Sequence, residues 1–438
     1  MPETTETPSA RTTYGMEIRL DYAAHTLTVS QVINYTNSTD ANLNQLPLVV
    51  PLALQEGVLA VLNLQLPPVF AQSNYQMNGT QINLDLVPNL QTRETLQINL
   101  IYRLTLPKSR SVFGYTNRQL TLADWFPFIP PYIVGQGWLI NEPGQVGEYL
   151  AYPLADFNVS LNLSPSVDGL VVAASAPTAS QEGDCWRYQA QGVRNLIFAI
   201  SPEYQISTSE GDDITIKAYT LPEHAHLGQR TTDLALAAWS RYEALYGPNN
   251  RRFLSIIEGD LDDGMEYDGA YFISDRYYES ANETPQNYYT LLTVHETAHQ
   301  WFYAQIHNDP ASEPWLDESL ATYSELLYLE SAHPDLVDWW WDFRVAEFNP
   351  SGYVDCTIYE HHKFRPYVNA VYLRGVQFLQ DVREKIGDNA FFEFLRAYAT
   401  PDEEDTLRTA AAFFSLLSTH SDADLTDLLR VYFRSAQP

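Results

Sequence analysis

The chain has 438 residues, 45% of them hydrophobic and only 18% charged, so it carries apolar material for two or more packed cores and is not of disordered composition. Its formal charge of −30 excludes the positive footprint that nucleic acid or an anionic membrane surface requires. No apolar run approaches the roughly 18 residues of a membrane span. Cys185 and Cys356 lie far apart and form no Cys-x-x-Cys pair, which excludes cysteine-ligated zinc and leaves open two thiols or one long bridge.

In chain order, residues 1–13 are polar and rich in Thr, Glu and Pro, a composition that predicts a disordered lead-in. No secretion signal is visible. The compartment therefore stays open between a soluble protein and an extracytoplasmic one whose signal has been removed. Residues 14–205 read as β structure. Segments 16–22, 26–35, 82–86, 96–104 and 157–163 alternate apolar and polar residues, with turn formers such as Asn78-Gly79 between them. Short strands at this spacing predict a sandwich or an open, saddle-like sheet. The proline-rich run Phe126 to Tyr132 reads as a loop.

From 206 to 438, after one more strand pair, the pattern turns helical at 287–307, 315–332, 367–386, 388–400, 405–418 and 422–434. The expected fold class is α+β in two domains, 14–205 β-rich and 206–438 mainly α-helical. Trp339-Trp340-Trp341 reads as packing or a surface patch. His361-His362 does not read as a metal pair, because neighbouring residues on a helix point apart.

The chemistry concentrates in His295-Glu296-Thr297-Ala298-His299. On a helix, histidines at i and i+4 share one face and can reach one ion, with the intervening glutamate beside it as a general base. Leu291, Val294, Ala298, Phe302 and Ile306 form an apolar stripe at helical spacing. Thr284-Pro285 offers an N-cap and a first-turn proline. Glu318, in Trp315-Leu-Asp-Glu-Ser-Leu-Ala321 and close behind Pro314, falls early in a second helix. There it can complete a two-histidine, one-glutamate zinc site, one ion per chain.

His-Glu-x-x-His followed by this glutamate resembles the gluzincin aminopeptidases, the group of aminopeptidase N and leukotriene hydrolase. Ala298-His-Gln-Trp-Phe302 and Trp315 to Tyr323 follow the same family's patterns. The resemblance implies a thermolysin-like catalytic domain over 206–438 and an enzyme that hydrolyses peptides. It implies that Tyr372, in Val371-Tyr-Leu-Arg-Gly375, is catalytic, with Tyr367 and Tyr359 as neighbours of the same type. Gly264-Met265-Glu266-Tyr267 is similar to the family's substrate motif, although Tyr267 stands where Asn is usual. That similarity implies a substrate-binding stretch whose Glu266 takes the free α-amino group of a peptide, with Asp268 to Ser274 as the edge strand flanking it.

No counterpart of the family's glutamine-bearing substrate loop is visible, and Trp125 to Tyr132 stands in its place. Larger relatives carry a further C-terminal helical domain. Its absence up to Pro438 implies a more open cleft. An endopeptidase or dipeptidase, and a non-catalytic zinc-binding scaffold, remain the alternatives. The preferred N-terminal residue and the oligomeric state are not legible.

Overall fold

The structure is a computed structural model and describes residues 11–435. The chain divides into two compact units, one of residues up to Ile140 with Tyr152–Glu203, the other of Asn141–Ala151 with the residues from Tyr204 on. Of the expected lead-in, residues 1–10 lie outside the described residues. Thr12 and Thr13 do not belong to a lead-in: they open the first strand, where Thr13 pairs with Asn34.

The first unit is β structure throughout. Seven strands form its main sheet: β1 (Thr12–Asp21), β2 (Thr26–Thr36), β3 (Leu59–Gln65), β4 (Thr95–Thr105), β5 (Ala155–Leu163), β6 (Thr178–Glu182) and β7 (Cys185–Val193), in the order β6-β7-β5-β1-β2-β4-β3. β1 shows why this sequence makes a sheet. Tyr14, Met16, Ile18 and Leu20 point into the core while Glu17 and Arg19 point out, the two-residue period of a half-buried strand. β1 and β5 pair parallel, and the other pairings in this sheet are antiparallel.

A three-stranded sheet, a four-stranded sheet and the short pair Tyr132–Ile133 with Gly137–Trp138 complete the unit. Most of the proline-rich run is buried. Phe126 packs edge-on against Tyr14 and Phe157, at 5.6 and 5.5 Å, and Trp125, Phe128 and Ile129 are buried, so its aromatics fill the core of this unit.

The second unit holds a five-stranded sheet of β8 (Gln205–Glu210), β9 (Thr215–Thr220), β10 (Phe253–Gly259), β11 (Gly264–Tyr267) and β12 (Ala270–Ser274), ordered β8-β9-β10-β12-β11. The expected edge strand, Asp268 to Ser274, is instead internal. The turn at Gly269, with φ +79°, folds β12 back between β10 and β11, and all five of its residues are buried. The edge is β11 itself.

α1 (Gly228–Tyr246) and α2 (Tyr288–Ala298) pack on this sheet, α3 (Trp315–Ala332) packs on both of them, and α4 (Arg374–Ile386) packs on α3. α2 is buried almost all round. Its threonines meet their hydrogen-bonding needs within the helix, Thr293 Oγ1 donating to the Tyr289 carbonyl and Thr297 Oγ1 to the Thr293 carbonyl, both at 2.7 Å. Its N-cap is Asn287, whose side chain accepts from Thr290 N, and not Thr284.

The helix also ends earlier than expected, at Ala298. Tertiary contacts take over there: Asn249 Nδ2 donates to the Gln300 carbonyl at 2.7 Å, and the Ala304 amide returns to the His299 carbonyl. Similarly, 405–409 is not helical, because Thr409 caps a helix that starts at Ala410. Cys185 and Cys356 are both free thiols. Among the described residues no helix is long and apolar enough to cross a membrane.

Candidate metal centre

His295 sits on the last turn of α2, His299 is its C-cap, and Glu318 sits on the first turn of α3. Their donor atoms converge. His295 Nε2 and His299 Nε2 are 3.1 Å apart, and Glu318 Oε2 lies 3.4 and 3.6 Å from them. A tetrahedral zinc with bonds of about 2.0–2.2 Å separates its ligand atoms by about 3.3–3.6 Å. The triangle therefore has the size of such a site. Glu318 Oε2 is buried and makes no hydrogen bond, so the acceptor facing the two nitrogens is left for a cation.

The far side of each ring fixes its tautomer. His295 Nδ1 faces Glu325 Oε1 at 3.0 Å, and His299 Nδ1 faces Asp317 Oδ1 at 2.7 Å and the Phe302 carbonyl at 3.0 Å. Those oxygens only accept, so each Nδ1 carries the proton and each Nε2 keeps its lone pair for the metal. Against the upward push of burial, the two facing imidazoles hold the Glu318 carboxyl far below the usual range.

Glu296 lies between the two histidines with 4% exposure, and its Oε2 is buried with no partner. Burial pushes its carboxyl up to about 7, against the pull of the two imidazoles. Gly264 makes room for it, since a Cβ built there overlaps Glu296 Oε1 and comes within 2.9 Å of its Cδ. Gly264→Ala is thus expected to displace the carboxyl and lower kcat by about 100-fold, the scale set by misplacing a reacting group by 1 Å. Steady-state kinetics, with metal content measured in parallel, checks this. An unchanged kcat would mean that the carboxyl needs no fixed seat.

Tyr372 lies on a wide π turn, Asn369–Leu373, that leads into α4. Its hydroxyl donates to Glu318 Oε1 at 2.5 Å. Gly375 permits the approach: a Cβ there overlaps Ser319 Oγ, which donates to the Val371 carbonyl. The Tyr-x-x-Gly spacing thus has a packing reason. Of the other two tyrosines, Tyr367 neighbours Tyr372, with the rings edge-on at 5.8 Å. Tyr359 is half exposed and donates to the Glu142 carbonyl, and the Tyr367 hydroxyl is buried with no hydrogen-bond partner.

Glu266, on the edge strand β11, is 4% exposed, and its Oε1 is buried without a partner. One oxygen each of Glu148, Glu266 and Glu318 lie within 4.8 Å of one another. Burial, followed by the surrounding carboxylates, holds Glu148 well above the ordinary range, and burial does the same to Glu266. Met265 pairs with Phe272. The Tyr267 side chain is buried, edge-on to Phe272 at 6.0 Å. Its carbonyl accepts from Gln300 Nε2, which ties the end of β11 to the residue after His299.

Residues 254–432 match the family model described as the peptidase family M1 domain. The chain carries a peptidase family M1 domain. That family is one of zinc-dependent peptidases, so the cofactor of this domain is zinc and its reaction is hydrolysis of peptides. None of the curated proteins matches the chain.

Among solved structures, the fold is similar to the M1 zinc metallopeptidase of Deinococcus radiodurans, with a TM-score of 0.68 and 18% identity over 98% of this chain and 96% of that one. It is similar as well to a mutant of that enzyme bound to a Tyr-Ser-Ala substrate, with a TM-score of 0.65 and 19% identity over 98% and 95%. A two-domain M1 zinc metallopeptidase mutant bound to L-tryptophan matches at a TM-score of 0.65 and 19% identity, over 98% and 96%.

The structure brings together His295, Glu296, His299, Glu318, Tyr372, Gly264 and Glu266. It also exposes partners that sequence reading missed. Glu148 precedes the matched region, in a segment with no periodicity, and nothing local marks it. Glu325 follows Glu318 by seven residues on α3, a spacing that puts both on one helix face, so a search for a carboxylate behind His295 could have found it.

Proposed function

We propose that the chain is a zinc aminopeptidase that removes single residues from the free N-terminus of peptides. His295, His299 and Glu318 hold one zinc per chain. Bound there, the ion supplies Lewis acidity toward the attacking water and the scissile carbonyl. Glu296 accepts a proton from that water as its oxygen bonds to the carbonyl carbon. It returns the proton to the amine nitrogen as the carbon–nitrogen bond breaks. The Tyr372 hydroxyl, released from Glu318, donates to the carbonyl oxygen as negative charge develops on it.

Glu266 carries the choice of aminopeptidase. It is a buried carboxylate with an unpartnered oxygen, on an edge strand whose free side can pair with an extended peptide. With Glu148 beside it, the pocket offers two carboxylates to a substrate ammonium and sets the cleavage point one residue in. An N-terminally blocked peptide brings no charge to offset those buried acids.

The test is hydrolysis of a panel of aminoacyl fluorogenic amides and their N-acetylated forms, with and without chelator. Cleavage of the free amines alone, lost with chelator and restored by zinc, is the expected result. Equal cleavage of the acetylated forms would remove Glu266 and Glu148 as amine anchors and make the enzyme an endopeptidase.

A further inference from the structure

Behind His295 stands a buried assembly centred on Glu325. Glu325 is fully buried, and its Oε1 faces His295 Nδ1 at 3.0 Å. Three donors from one short segment clasp the same carboxylate. Arg344 approaches as a fork, Nε to Oε2 at 3.0 Å and Nη2 to Oε1 at 3.1 Å, and Trp340 Nε1 donates to Oε2 at 3.0 Å. Trp340 is fully buried and Arg344 is 7% exposed.

The backbone that presents them is unusual. Val337–Trp340 is a single helical turn, and Trp341–Val345 is a π turn, a wide form found mostly as a local insertion. Tyr372 reaches the metal centre from the only other π turn among the described residues. The histidines are also held unequally. His299 Nδ1 bonds a backbone carbonyl, that of Phe302, with Asp317 Oδ1 close by at 2.7 Å, whereas His295 Nδ1 faces the Glu325 side chain.

We infer that Arg344 is a positioning residue for the metal, acting through Glu325 to fix the ring orientation and the Nδ1–H tautomer of His295. The inference rests on His295 being a zinc ligand. Arg344 balances the charge of Glu325, and its fork fixes the plane of the carboxylate. A carboxylate that loses this two-point clasp is free to turn, and turning takes away the oxygen that holds His295 Nε2 toward Glu318. Trp340 is the lesser support, a neutral donor to one oxygen.

The experiment is zinc affinity of the full chain by chelator competition, together with the visible spectrum of the cobalt-substituted protein, which reports ligand geometry without turnover. Arg344→Met is expected to weaken zinc by about 10- to 100-fold, the range for losing a partner of a metal-ligating histidine, and to change the cobalt spectrum. Arg344→Lys, which keeps the charge and loses the fork, is expected to fall between it and the wild type.

Folded Arg344→Met protein, judged by near-UV circular dichroism, that binds zinc as tightly as the wild type and gives its cobalt spectrum would overturn the inference. Where Arg344→Met does not fold, Arg344→Lys carries the test on the same reading. A wild-type chain that binds no zinc would instead overturn the metal site itself.

Discussion

Glu296→Gln is expected to lower kcat by about 100- to 10,000-fold, the contribution of a positioned general base, while zinc stays bound. The substitution is nearly isosteric in a seat with no slack: Glu296 is 4% exposed and its carboxyl lies against the backbone at Gly264. An amide fills the same space and cannot take a proton from water. The metal-binding atoms belong to other side chains, and the groups behind the histidines, Glu325 and Asp317, are untouched. KM should move little, since Glu296 is proposed to act on the proton and not on the substrate's N-terminus. Kinetics on the best fluorogenic amide, with zinc counted per chain, decides it. A fall in activity that follows loss of zinc would make Glu296 a support of the metal site. Retained activity would remove it as the base.

Much of this centre was legible in sequence because its chemistry follows helix geometry. His295 and His299 share a face at i and i+4, and Glu318 follows Pro314 at a helix start. What was not legible depends on contacts between distant segments. The end of α2 is set by Asn249 reaching the Gln300 carbonyl, and nothing in 299–307 announces a break. β12 is an internal strand because a single turn at Gly269 returns the chain between two neighbours, while a short apolar run reads equally well as edge or centre. Trp340 looked like packing, and it is buried, yet its indole also donates to Glu325. A run of three tryptophans conceals that role, because sequence gives no hint of which ring nitrogen meets a carboxylate. The sheet unit was easier to read, since its strands keep a strict two-residue alternation, as β1 does.

Tyr372→Phe is expected to lower kcat by about 100- to 1,000-fold, or about 2.7–4 kcal/mol, the cost of losing one preorganised donor to a developing oxyanion. The structure places the hydroxyl beside Glu318 and holds it as a donor. It donates to Glu318 Oε1 at 2.5 Å, and burial, followed by the charge of Glu318, keeps the phenol well above its usual pKa. The ring runs parallel to that of His295 at 6.3 Å, and the Gly375–Ser319 approach fixes the backbone behind it. Removing one oxygen therefore leaves the packing in place, and zinc content and stability should stay near those of the wild type. Binding in the ground state should change little, because the proposed bond to substrate strengthens only as charge appears on the carbonyl oxygen. Tyr367→Phe is the control. Its hydroxyl is buried without a hydrogen-bond partner, so its loss removes no bond, and kcat should be nearly unchanged. Rates measured on both variants separate the two residues: a large loss in Tyr367→Phe with none in Tyr372→Phe would move the oxyanion donor to Tyr367, and a loss in neither would leave oxyanion stabilisation to the metal alone.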